Sequence, residues 1–262
     1  MSDRKTVLSI AGSDPSGGAG IQADLKTMDA YGIYGMSVIT AVTAQNTCGV
    51  TAVEPVSPEM VRLQLEAVFQ DIFPDAVKIG MLCEENIVSV VVDCLKKYKP
   101  QHVILDPVMV STSGKSLLSA EAVELVLREL FPLTEMITPN IPEAGRILGR
   151  DIITEKEMEK AAEEIAGRYQ CHVLLKGGHM RGAADDLLYH GGWRWYPGSR
   201  IRCDNTHGTG CTLSSAVACG LAKEMNPEEA VLCAKEYVRG AMSSGLNLGK
   251  GNGPLDHLWQ KA

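Results

Sequence analysis

Residues 205–212 (NTHGTGCT) set two glycines, three threonines, a histidine and a cysteine immediately ahead of an apolar, small-residue run. That spacing predicts a loop opening a buried helix, which gathers free N–H groups and the positive end of a helix dipole at one point, an anion site. Gly208 and Gly210 let the backbone approach a phosphate without a Cβ in the way. Cys211 falls in the first helical turn, where the same field favours a thiolate and lowers its pKa. A proton-accepting sulfur beside a phosphate cradle suits phosphoryl transfer. The same letters equally describe a glycine loop that starts a helix beside one of eight cysteines. His207 is expected to hold this loop by hydrogen bonds, and the residues ahead of Asn205 are expected to form a strand.

Further polar groups fall at the carboxyl ends of apolar runs, where open α/β sheets bind ligands. Asp106 follows the run His102–Leu105 and precedes Pro107, a position suited to a metal ion or phosphate chemistry. Lys176 ends the run of residues 172–176 beside Gly177, Gly178 and His179, where a lysine pairs with phosphate or is simply solvated. Asn140 caps a helix entered at Pro142, and Glu143 complements its dipole. Gln45 and Asn46 emerge beyond the strand of residues 36–43, turning or facing a ligand. Asp24 lies near the start of a helix over residues 21–31, where compensation of the dipole accounts for it.

Those groups need elements to carry them. A strand over residues 6–11 feeds the glycine-rich stretch 12–20 and the helix after it, the opening of a βαβ unit. It has no GxGxxG fingerprint and no GK[ST], so neither a dinucleotide site nor a P-loop is indicated. Strands are predicted over 51–56, Ala76–Ile79 and 135–138, and helices over 58–69, 84–98, 119–130, 154–169, 213–223 and 227–246. Asp186–Tyr189 and Trp193–Tyr196 read as a hairpin around Gly191 and Gly192, at an antiparallel edge of the sheet. The alternation of strands and helices predicts an α/β fold with a mostly parallel sheet. No linker or repeat interrupts residues 1–262, which are read as one domain.

Hydrophobic residues make up 45% and charged residues 22% of the chain, the balance of a soluble globular protein. A net charge of −7 argues against a general nucleic-acid binder. The opening residues lack the apolar run of a signal peptide, and no stretch is long enough to span a bilayer. The cysteines show no CxxC pair and no zinc spacing, so a reduced, cytoplasmic enzyme is expected. GxSxG is absent, which removes the nucleophile elbow from consideration.

Taken together, residues 12–27 (GSDPSGGAGIQADLKT), 37–47 (SVITAVTAQNT), 78–82 (KIGML), 106–109 (DPVM), 137–143 (ITPNIPE), 176–179 (KGGH) and 205–212 resemble the hydroxymethylpyrimidine/phosphomethylpyrimidine kinases of thiamin biosynthesis, within the ribokinase-like superfamily. The resemblance implies a three-layer α/β/α fold with a small antiparallel edge. It implies transfer of phosphate from ATP, with Mg²⁺ and room for a monovalent cation, to 4-amino-5-hydroxymethyl-2-methylpyrimidine and then to its monophosphate. By similarity, Lys176, Thr209 and the N–H groups at Gly208 and Gly210 hold phosphates, and Asn140 stands near the residues that orient Mg²⁺ and its waters. Asp106 and Glu143 hold Mg²⁺, and Cys211 takes the hydroxymethyl proton. Gly12, Asp24, Gln45, Met81 and Val108 form the pyrimidine pocket. Small-molecule partners and a homodimer are implied, with no nucleic acid or membrane. A flap is expected near residues 48–53 or 111–116. A pyridoxal kinase of the same fold and a non-catalytic pyrimidine- or nucleotide-binding protein stand as the other readings. Gln45 favours the pyrimidine, because its amide can accept from a ring amine while donating to the adjacent ring nitrogen.

Overall fold

A computed structural model describes residues 4–109, 118–178, 184–198, 200–201 and 203–261. The candidate flap at 111–116 and His179 lie outside the described residues. Nine strands form one sheet: β1 (Thr6–Ser13), β2 (Tyr34–Asn46), β3 (Gly49–Pro55), β4 (Ala76–Ile79), β5 (His102–Leu105), β6 (Met136–Ile137), β7 (His172–Leu175), β8 (Asp186–Tyr189) and β9 (Trp193–Tyr196). Their spatial order is β3-β2-β1-β4-β5-β6-β7-β8-β9, parallel from β2 to β7. Antiparallel strands flank it on both sides, the expected β8–β9 hairpin at one edge and β3 at the other. The order reverses at β1, which pairs with β2 on one side and β4 on the other. Such a switch point opens a crevice at the strands' carboxyl ends.

The central strands are buried on both faces. Val7, Leu8 and Ile10 of β1 and all four residues of β4 are inaccessible, as parallel sheets sandwiched between helices require. On one face Leu8, Ile10, Val38, Val77 and Leu105 pack against α2 (Pro58–Asp71), α3 (Glu85–Tyr98), α4 (Ala120–Leu125), α5 (Ile141–Leu148) and α6 (Glu155–Tyr169). On the other, Val7, Ala76, Ile104 and Leu174 pack against α1 (Gly20–Ala30), α7 (Thr209–Ala222) and α8 (Pro227–Ser243).

Helix α7 is built from small residues and is buried from Thr212 to Ala222. A Cβ on Gly220 would stand 2.8 Å from the Cβ of Ala230, so glycine lets α7 and α8 lie in contact. The helix begins at Thr209 rather than 213, which brings Cys211 into its first turn as expected. The strand expected ahead of Asn205 does not form. Among the described residues between Pro197 and Gly208, the only β pairing is a single bridge from His207 to Pro254. That segment instead packs on the glycine-rich tail after α8. Gly253 donates to the carbonyl of Asp204 at 2.9 Å, and His207 N–H donates to that of Gly253 at 3.1 Å.

Candidate active site

A cavity of about 920 Å³ lies along the switch-point crevice, running from the end of β2 to the start of α7 and the inner flank of α8. On its lining Lys176 Nζ meets Asp106 Oδ1 at 2.7 Å, and Thr138 Oγ1 donates to the same oxygen at 3.0 Å. Lys176 is therefore not a solvated strand-end lysine; burial works against its charge, but Asp106 and Glu143 raise its pKa. A Cβ on Gly210 would stand 3.2 Å from Asp106 Oδ2 and 3.4 Å from Lys176 Nζ. With no side chain there, the first turn of α7 looks directly onto the ion pair.

The anion loop has the geometry its sequence predicts. Gly208 caps α7 with φ +83°, in the left-handed region. Any Cβ there would overlap the carbonyl of Gly18 in the β1–α1 loop, so the two glycine loops sit back to back. Thr209 N–H returns to the Thr206 carbonyl at 3.4 Å and Thr212 N–H to that of Gly208 at 2.9 Å. The N–H groups of Gly210 and Cys211 have no acceptor within their own helix. Thr209 Oγ1 donates to the Thr206 carbonyl at 3.1 Å and borders the cavity.

Asn140 and Glu143 form a capping box on α5: Asn140 Oδ1 accepts from Glu143 N–H and Glu143 Oε2 from Asn140 N–H, each at 2.8 Å. This cap lines the cavity beside Lys176. Burial, opposed by the Lys176 ammonium and reinforced by Asp106, pushes the Glu143 carboxyl up to about 7. The carboxylates of Asp106 and Glu143 are oxygen donors of the kind a hard divalent cation takes, and the Lys176 ammonium beside them is a counter-charge rather than a ligand.

Gly12, Gln45, Met81 and Val108 also border the cavity. The β2–β3 register shifts between Ala44 and Gln45, an irregularity that sits where the Gln45 side chain turns to the cavity. Its amide lies between Thr43 Oγ1, 3.2 Å from Oε1, and His207 Nε2, 3.4 Å from Nε2. A Cβ on Gly12 would overlap the terminal methyl of Met81, so those two positions pack as one wall.

Two expectations need correction. Asp24 neither compensates a dipole nor lines the pocket: it is fully buried beneath it, holding Lys78 Nζ at 2.9 and 2.8 Å and accepting from Ser9 at 2.5 Å and Ser215 at 2.7 Å. The Cys211 pKa is raised, not lowered. Burial outweighs the helix terminus; Lys78 and the N–H of Gly20 pull it down, while Asp24 and Asp106 push it up.

Sequence reasoning left Lys78 and Asp14 without roles. Lys78 stands inside the quoted KIGML run and borders the cavity, but its partner is 54 positions away, beyond any local pattern. Asp14 Oδ2 accepts from His207 Nε2 at 2.8 Å and from the N–H groups of Gly18 and Ala19 at 3.1 and 2.8 Å. Burial opposes its ionisation, but these bonds and those from Ser16 hold its carboxyl at about 2. His207 thus ties the two loops together, as its loop-holding role requires. The tail adds a strap: Lys250 and Gly251 N–H donate to Thr47 Oγ1 at the β2–β3 turn, each at 3.2 Å, and His257 Nε2 meets Thr212 Oγ1 at 3.0 Å.

A helix N-terminus facing an Asp–Lys pair, in one cavity with a glutamine on its wall, suits a kinase of small molecules. The family model described as phosphomethylpyrimidine kinase matches residues 14–256. The chain belongs to that family. A hydroxymethylpyrimidine/phosphomethylpyrimidine kinase of Rhizobium meliloti is 50% identical over 97% of this chain and 98% of its own. Among solved structures, phosphomethylpyrimidine kinase from Clostridium difficile is 48% identical with a TM-score of 0.83, covering 92% of this chain and 100% of its own. Bacillus subtilis pyridoxal kinase in complex with ADP is 34% identical with a TM-score of 0.91, covering 99% of both chains. As a family member the chain is an ATP-using phosphotransferase with a small-molecule acceptor, on a ribokinase-like fold. Among the described residues, no helix is long and apolar enough to cross a membrane.

Proposed function

We propose that this phosphomethylpyrimidine kinase family member phosphorylates 4-amino-5-hydroxymethyl-2-methylpyrimidine and then its monophosphate, supplying the diphosphate for thiamin biosynthesis. The observation that carries this reading is Gln45 at the cavity wall beside Gly12, Met81 and Val108, with the Asp106–Lys176 pair and the α7 terminus at the far end of the same cavity. An aminopyrimidine offers a ring amine and an adjacent acceptor nitrogen to one amide, whereas pyridoxal offers a phenolic oxygen.

The N–H groups of Gly208, Gly210 and Cys211, with Thr209 and Lys176, would hold the ATP phosphates, and Asn140 would help to orient the metal beside them. Asp106 and Glu143 would hold Mg²⁺, which would supply neutralisation of the phosphate charge. In the first transfer the substrate hydroxyl oxygen bonds to the terminal phosphorus, the bond from that phosphorus to the bridging oxygen of ADP breaks, and the hydroxyl proton passes to the Cys211 thiolate. The α7 N–H groups and Lys176 stabilise charge on the transferring group. The second transfer starts from a phosphate oxygen already ionised near neutrality and needs no base. A homodimer, implied by similarity, is checked by light scattering.

The deciding experiment follows both transfers in Cys211→Ala. The first rate falls by roughly 10²–10⁴-fold, the usual worth of a positioned base, while the second stays near wild type. Equal losses in both would remove Cys211 as the base. The strong likeness to a pyridoxal kinase makes competition the second test. With both acceptors supplied together, phosphopyrimidines dominate; pyridoxal phosphate in excess would overturn the substrate assignment.

A further inference from the structure

Lys78 is fully buried, borders the cavity and plays no part in the phosphate chemistry above. A buried ammonium costs several kcal/mol in lost hydration unless it is well paired, and here both oxygens of Asp24 take it, at 2.9 and 2.8 Å. The surroundings are shaped around it: a Cβ on Gly80 would stand 3.0 Å from Lys78 Nζ. Ser215, which donates to Asp24 Oδ1 at 2.7 Å, lies four residues after Cys211 on α7. Residues four apart share a helix face, so the ion pair rests against the face that carries the thiol. Gly20 has φ +55°, and a Cβ there would overlap the carbonyl of Gly12, which fixes the start of α1, the helix that carries Asp24.

We propose that Lys78, clamped by Asp24, is the counter-charge for ionised Cys211, a positioning residue that sets how readily the base of the first phosphorylation forms. This rests on the reading of Cys211 as that base. The charged groups around the thiol are Lys78 from β4, Asp24 from α1, Asp106 beyond β5 and Lys176 beyond β7. Burial and the two carboxylates disfavour the thiolate, and Lys78 is the strongest charge opposing them. Lys176 is already engaged by Asp106 and turned to the phosphates, while Lys78 cannot leave Asp24 without stranding a buried charge. The two lysines therefore divide the work, one serving the phosphates and the other the sulfur.

The test reads the thiol directly. Intact ligand-free enzyme is alkylated with iodoacetamide across a pH series, and modification of Cys211 is followed by peptide mass spectrometry, which separates it from the other seven cysteines. Lys78→Met moves the midpoint upward by at least one unit, a tenfold slower reaction at any pH well below it, and Lys78→Arg restores the wild-type midpoint. Asp24→Asn moves it the opposite way. Because Lys78→Met alone leaves Asp24 buried and unpaired, Lys78→Met/Asp24→Leu provides a folded variant lacking both charges. Its midpoint lies above wild type but below that of the single Lys78 variant. A double-variant midpoint at or below wild type, or shifts of the same sign in Lys78→Met and Asp24→Asn, would overturn the proposal. If Cys211→Ala slows both phosphorylations equally, the base assignment fails while the alkylation profile still reports whether Lys78 governs the sulfur.

Discussion

Gln45 and Asp14 illustrate how single side chains carry specificity and integrity separately. Replacing Gln45 with Leu leaves the substrate's ring amine and ring nitrogen unpaired, about 1–3 kcal/mol, so KM for the aminopyrimidine rises roughly tenfold to a hundredfold with kcat little changed. Steady-state kinetics on both acceptors checks this, since pyridoxal phosphorylation should not suffer the same loss. Asp14 acts on stability. Its carboxyl is held at about 2 in the folded chain against 3.8 for the free group. A depressed acid stabilises fully above its unfolded pKa, and that contribution, about 2 kcal/mol, is lost as pH falls from about 4 towards 2. Asp14→Asn therefore flattens the acid limb of a stability-versus-pH curve measured by urea melts. For Cys211 the sign runs the other way: its raised pKa leaves a thiol at neutrality, so the first phosphorylation rate climbs with pH above neutrality while the second lacks that limb. The position of Cys211 in a first turn was legible from its spacing. Its ionisation was not, because Lys78, Asp24 and Asp106 come from three other elements.

At the scale of elements, the anion loop separates two uses of glycine. Gly208 has a left-handed backbone and the Gly18 carbonyl where a Cβ would go, whereas Gly210 has an allowed backbone and faces Asp106 and Lys176. Gly208→Ala is thus expected to lower the melting temperature and pull the two loops apart. Gly210→Ala should melt near wild type yet lose ADP binding by tenfold or more, read by calorimetry. Similar melting temperatures for the two variants would contradict this division. Strong local signals made most elements readable. Asn140 and Glu143 box the start of α5, Thr154 and Glu157 box α6, and Gly191 turns the β8–β9 hairpin with φ +71°. Among the described residues the strand expected ahead of Asn205 is absent, and the Asp204 carbonyl is instead taken by Gly253 of the tail, a partner no local pattern shows. The second antiparallel edge, β3, was present in the letters as a strand, but only the sheet order reveals which side of β2 it occupies.

For the whole molecule, the decisive fact is that no single segment owns the site. Gln45, Asp106, Lys176 and Cys211 lie at the ends of widely spaced elements, and the switch at β1 brings those ends to one crevice. Motif order was therefore sufficient to name the family. Depth below the crevice floor was not legible, which is why Asp24 was expected in the pocket and is found beneath it. The tail after α8 carries a further consequence. Asp204 and His207 bond to Gly253, His207 bridges to Pro254, and Thr47 accepts from the N–H groups of 250 and 251. During synthesis, β1 and its glycine loop leave the ribosome some two hundred residues before the strands of contact that complete the cradle. A chain lacking this last stretch keeps every residue that lines the cavity but loses the Gly253 bonds that hold the anion loop, so truncation after α8 is expected to weaken nucleotide binding without removing any group that touches the nucleotide.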